Sequence, residues 1–162
     1  MFNLRAEFYL KIIFLFSFIA LFSAFFIEYI LGHQPCNLCL IERIPYVLSI
    51  MIIIAILLIK KNQKFLVMLL ILTFIFSFAI SFYHFGIEQG FFKESSICGV
   101  NNAKEILSKE ELLQELQKNR VSCKDVTFRV FGFSLTTLNI IISLILLSLL
   151  TKIFKNYEKF KK

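Results

Sequence analysis

The chain has 162 residues, 58% of them hydrophobic, and a formal net charge of +7. A water-soluble domain of this size is about half apolar or less. Here the excess lies in long unbroken runs, which points to a single membrane-embedded domain. The basic residues cluster beside those runs rather than among exposed aromatics, a pattern of membrane topology that argues against nucleic acid as a partner.

Four apolar runs follow in chain order, at about 12–31, 44–59, 65–85 and 131–150. About 20 residues of helix cross the hydrocarbon core, so each run predicts a transmembrane helix. The second is short unless its helix begins a turn earlier, near Cys39 or Glu42. Pro45 permits that start, because a proline in the first helical turn gives up only an N–H that had no partner. No small-x-small cleavage pattern follows the first run cleanly, so it reads as a retained span rather than a signal peptide. Ala20 and Ala24 on the first helix, and Thr73, Ser77 and Ser81 on the third, read as close helix-packing faces.

Orientation follows from the loops. The N-terminus (Arg5, Lys11), the turn at Lys60, Lys61 and Lys64, and the tail from Lys152 to Lys162 hold ten basic residues against Glu7 and Glu158. The opposite loops, at about 32–43 and 86–130, with Glu28 at their margin, hold the other eight basic and nine acidic residues. The positive-inside rule places both termini in the cytoplasm. The expected fold is an all-α membrane protein, a four-transmembrane-helix bundle in one domain. The second outer loop adds a short amphipathic helix, where Ser108 and Glu111 suit a capping box and Leu112, Leu113 and Leu116 form a stripe.

Cysteine plays no part in that charge asymmetry, yet Cys36, Cys39, Cys98 and Cys123 all fall on the outer side, where disulfides persist. The segment Pro35-Cys36-Asn37-Leu38-Cys39, followed by Glu42 and Arg43, sets a Cys-x-x-Cys at a helix start with a cation one turn on. A helix N-terminus and a nearby cation favour the thiolate, and so a good nucleophile or leaving group. A cross-link over so short a loop gains little chain entropy, which argues against a purely structural bond. A four-cysteine zinc site normally pairs two Cys-x-x-Cys knuckles, whereas Cys98 and Cys123 are 25 residues apart, so no metal is expected. If Cys98 and Cys123 are bonded, an exposed loop would leave that bond open to exchange with an outside thiol. A bond that merely staples the loop is the other reading.

Together these elements resemble the DsbB family of membrane disulfide-bond formation proteins. The matching residues are Pro35-Cys36-Asn37-Leu38-Cys39 with Arg43, Tyr83-His84 with Gly86-Ile87-Glu88, then Cys98, Cys123, Gly132-Phe133-Ser134-Leu135 and Asn139. The resemblance covers nearly the whole chain. It implies a bacterial inner-membrane oxidoreductase whose cysteine loops face the periplasm. A reduced, thioredoxin-fold, DsbA-like partner would be reoxidised at a Cys98–Cys123 disulfide, with Cys98 bonding the partner. Cys123 would then attack Cys36 of a Cys36–Cys39 disulfide. The Cys39 thiolate would pass electrons to a membrane quinone, ubiquinone or menaquinone, with Arg43 stabilising the negative charge. His84 is expected near the quinone headgroup or as a satisfied interface residue. Phe91, Phe92 and Leu138 stand where the family often has tryptophan, which keeps apolar bulk and loses an indole N–H.

The alternative is a non-enzymatic four-helix membrane protein with two structural disulfides. His33 and His84 could ligate haem in a bundle, but no Cys-x-x-Cys-His accompanies them. His33 reads as a loop residue, Glu28 as reaching the headgroups, and Glu42 as facing water or the surroundings of Arg43.

Overall fold

A computed structural model describes residues 4–59, 62–94, 98, 122–124, 129–130 and 132–159. The expected amphipathic helix at 108–116 lies outside them. Helix α1 runs Leu4–Tyr29, α2 Asn37–Ile41, α3 Ile44–Leu58 and α4 Gln63–Glu88. A two-residue hairpin, β1 Arg129–Val130 and β2 Phe133–Ser134, leads into α5, Leu135–Lys159.

Four spans are long and apolar enough to cross a membrane: Ala6–Tyr29, Asn37–Leu58, Gln63–Glu88 and Leu135–Lys155. The protein is an all-α, four-span bundle. The second span gains its length as anticipated, by adding α2 ahead of α3, giving 22 residues. The two helices are separated by a turn at Glu42–Arg43. Pro45 has no N–H to return to Ile41, so the ladder lapses there, and Tyr46 and Val47 both donate to the Arg43 carbonyl, at 3.1 and 3.2 Å.

The helices pack with alternating direction. Leu10 and Ile13 near the start of α1 share one core with Ile53 and Ile56 late in α3, Val67, Leu70 and Phe74 early in α4, and Leu146, Leu150 and Ile153 late in α5. Serines lie between helices within this interior, Ser17 with Ser49 at 3.0 Å and Ser77 with Ser143 at 3.2 Å. Such small polar contacts let helices approach in a medium that offers them no water. Of the expected polar face on α4, Ser77 and Ser81 turn inward, while Thr73 bonds back to Leu69 of its own helix. Phe8, Phe22, Met51, Leu58, Phe65 and Phe76 point outward and stay exposed, a surface suited to lipid.

The fourth span begins later than the apolar run suggested. Gly132, with φ +85°, turns the chain between β1 and β2, pairing Arg129 with Ser134 and Val130 with Phe133. The Ser134 Oγ then accepts from the Thr137 backbone N–H at 3.3 Å, capping α5.

Candidate functional site: a dithiol, a disulfide and a buried polar chain

At the end of the bundle away from both termini, a second and smaller cluster gathers Cys36, Leu38, Ile87, Cys98 and Cys123, with Cys39, Ile41 and Tyr83 against it. Two loops and two helices therefore bring all four cysteines together. Cys98 and Cys123 form a disulfide with Cα atoms 5.6 Å apart. Cys36 and Cys39 are thiols whose sulfurs stand 2.6 Å apart.

Local sequence sets each position. Cys36 is the N-cap of α2 in extended conformation, and its Sγ accepts from the Cys39 N–H at 3.2 Å. The Glu94 carboxylate accepts from the Ser122 hydroxyl and, at 3.0 Å, from the Lys124 N–H, so it grips the chain on both sides of Cys123. Gly86 gives the end of α4 its shape, because a Cβ there would sit 2.1 Å from the Phe92 ring, which stacks on Tyr83 with centroids 5.7 Å apart.

The Cys98–Cys123 bond differs from the exposed bond anticipated. Both residues are buried, at 1% and 3% exposure, in a cluster shared with Leu38 and Ile87. An outside thiol reaches neither sulfur in this conformation.

A chain of polar side chains leads inward from Cys36. His84 Nε2 lies 3.6 Å from Cys36 Sγ, and His84 Nδ1 lies 2.9 Å from Glu42 Oε1. The other Glu42 oxygen accepts from Asn139 Nδ2 at 3.0 Å. Asn139 also donates to Ser81 Oγ at 2.7 Å and accepts from the Tyr46 hydroxyl. Glu42, expected to face water or Arg43, is instead committed to His84 and Asn139. Thiol, imidazole and carboxylate in this order can exchange a proton with the sulfur, with the carboxylate orienting the ring.

Arg43 points to α1. It donates to Glu28 and lies over the Phe25 ring, 5.1 Å from its centroid. Glu28 thus has a protein partner in place of the lipid headgroups expected for it. His33 lies outside the helices, as its sequence context suggested.

The Cys36 thiol is pulled down to about 5. The hydrogen bond from Cys39 is the largest cause; the bond and charge of His84 and the Cys39 N–H add to it, while burial opposes them. Donor atoms of Cys36, Cys39 and His84 lie within 4.8 Å of one another.

The chain matches the family model described as disulfide bond formation protein DsbB over residues 6–153. It is also 32% identical over 133 residues to the uncharacterized protein RP370 of Rickettsia prowazekii (strain Madrid E), covering 81% of this chain and 77% of that one. No solved structure matches it.

Proposed function

The chain belongs to the disulfide bond formation protein DsbB family, and from that membership we propose that it is a thiol:quinone oxidoreductase of the bacterial inner membrane that reoxidises a periplasmic, thioredoxin-fold, DsbA-like protein. Membership itself makes it a multi-pass membrane protein of disulfide-bond formation. The single observation that carries the finer reading is the shared cluster of Cys36, Cys39, Cys98 and Cys123. The charge asymmetry of the loops supports cytoplasmic termini and a periplasmic cysteine end.

Electrons enter when a partner thiolate attacks Cys98 and Cys123 leaves with the bonding pair. The Cys123 thiolate attacks Cys36 of the closed inner couple, the Cys36–Cys39 bond breaks, and Cys39 leaves as a thiolate. The partner's second thiolate then closes the partner's own disulfide and frees Cys98; Cys98 attacks Cys123, Cys36 departs with the bonding pair, and His84 beside it stabilises the departing anion. Because both outer-couple cysteines are buried, docking of the partner also exposes Cys98.

A quinone, when bound, supplies a lipid-soluble acceptor for two electrons and two protons. The residues present fit such a group. Arg43 provides a fixed cation at the cysteine end, against the Phe25 ring, and its sequence neighbours Leu40 and Ile44 are apolar and exposed, an approach for a ligand dissolved in the bilayer. Arg43 would hold the polar head and stabilise negative charge at Cys39.

The burial of Cys98 and Cys123 is what favours the second reading, two structural disulfides without catalysis. Purified protein given a reduced thioredoxin-fold dithiol and a quinone separates the two. The enzyme reading expects quinone reduction that Cys39→Ser abolishes. It also expects Cys98→Ser to stop partner oxidation while the inner couple stays oxidisable. Full-rate partner oxidation by Cys98→Ser contradicts the relay order.

A further inference from the structure

Glu88 closes the cysteine end of α4 and takes no part in the relay just described. Its side chain is 6% exposed. One oxygen, Oε1, accepts from the Thr136 hydroxyl of α5 and lies 3.9 Å from His84 Nε2. The other, Oε2, is buried and finds no hydrogen-bond partner among the described residues. A buried carboxylate oxygen without a partner is costly and calls for a functional reason.

The reason lies in what His84 faces. Its Nδ1 is engaged by Glu42, so a single N–H at Nε2 must serve both Cys36 Sγ at 3.6 Å and Glu88 Oε1 at 3.9 Å. The two acceptors compete. With Cys36 in a disulfide the sulfur carries no charge, and the Nε2 side of the ring is left to Glu88. Once Cys36 becomes a thiolate it takes that N–H, and the buried Glu88 carboxyl keeps only the Thr136 hydroxyl. Among the described residues the neighbouring elements offer it no replacement: α2 brings the anion Glu42, α3 brings Tyr46, α5 brings the neutral Thr136 and Asn139, and Arg43 is held by Glu28 of α1.

We propose that Glu88 is a redox-linked, charge-balancing proton acceptor, taking up a proton when Cys36 becomes a thiolate and releasing it when the Cys36–Cys39 disulfide closes. The inference rests on the oxidoreductase reading for its role in turnover. The balance is simple. A dithiol that closes its own disulfide gives up two electrons and two protons. The electrons open the Cys36–Cys39 bond, one proton is held at Glu88 and the other goes to the Cys39 sulfur, and both are released when the couple recloses and the two electrons pass on to the quinone, which takes up two protons.

Infrared difference spectra of the full-length protein, stripped of quinone and stepped between its disulfide and dithiol states with dithiothreitol, test this directly. In the wild type a protonated-carboxyl stretch appears on reduction, shifts in heavy water, and disappears on reoxidation. Glu88→Gln lacks it and Glu88→Asp restores it. Thr136→Val, which strips the hydroxyl from the same carboxyl, moves its position. A band that survives in Glu88→Gln and vanishes in Glu42→Gln, or one unmoved in Thr136→Val, overturns the proposal. Since neither partner nor quinone is present, a wild type that shows the band and reduces no quinone sinks the oxidoreductase reading alone. A wild type that reduces quinone and shows no band sinks this inference alone.

Discussion

His84 reaches Cys36 across 48 residues of sequence, with Nε2 3.6 Å from Sγ, while Glu42 holds the opposite side of its ring. The hydrogen bond from Cys39 is the larger cause of the anionic character of this first cysteine of the Cys-x-x-Cys, and the His84 pairing adds to it. A thiol held at about 5 keeps its thiolate as pH falls, losing half of it only near that value. In the reduced protein, alkylation of Cys36 should therefore stay near its plateau from neutral pH down to about 6 and halve near 5. His84→Gln removes a bond and a charge that favour the thiolate, so the inflection moves upward. Were it to climb from about 5 to about 6, alkylation at lower pH would slow about tenfold. The sign for stability is the same: the reduced fold loses this contribution as pH drops through about 5.

Arg43 is clamped between the Glu28 carboxylate and the Phe25 ring, a geometry that uses the planar guanidinium twice. Lysine keeps the charge and loses both the fork and the stacking plane. Arg43→Lys is expected to lower kcat/KM for quinone by about tenfold, and Arg43→Met by more, a loss of roughly 1.4 kcal/mol or above in transition-state stabilisation. Steady-state kinetics with a soluble quinone checks this. Equal rates for lysine and arginine would mean that the guanidinium has no role in quinone reduction.

Asn139 binds Tyr46, Ser81 and Glu42 at once, tying α3, α4 and the turn after α2 to α5. Asn139→Leu leaves a carboxylate oxygen and a phenol without their partner, at a cost of about 1–3 kcal/mol. Tyr46→Phe removes one hydroxyl and should cost about 1 kcal/mol. Denaturation in detergent micelles orders the two variants, with Asn139→Leu the less stable.

Gly86 is the point where the Phe92 ring folds back onto α4. Gly86→Ala forces the ring aside, and overpacking of this kind costs about 1–3 kcal/mol. Adding Phe92→Ala removes the clash, so the double variant should recover part of that loss in a mutant cycle.

The four spans were legible because apolar length alone specifies a helix where the bilayer denies every backbone group a water partner. The Cys-x-x-Cys was legible as local spacing, whereas the Cys98–Cys123 bond was implied only by the family resemblance, because 25 residues of intervening loop do not specify a partner. Glu42, Glu28 and Glu88 were not. The period of a helix says which residues share its face, but not which face of another helix they will meet. Thus Glu42 meets His84 and Asn139, 42 and 97 residues away. The burial of Cys98 and Cys123 was hidden for a similar reason: their loop is polar in composition, and Leu38 of α2 and Ile87 of α4, which share their cluster, are distant in sequence. The late start of α5 was a local matter, since the aromatic residue Phe133 extends the apolar run while Gly132 and Ser134 set the turn and the cap.

For electrons to run between the couples, sulfur from the second loop must be able to bond sulfur of the Cys-x-x-Cys. A Cys39→Ser/Cys98→Ser double variant leaves Cys36 and Cys123 as its two thiols. Mild oxidation of this protein in membranes, followed by peptide mapping, should yield a Cys36–Cys123 cross-link within the monomer. Two thiols that stay fully alkylatable, with the fold intact and no cross-link, would contradict the relay.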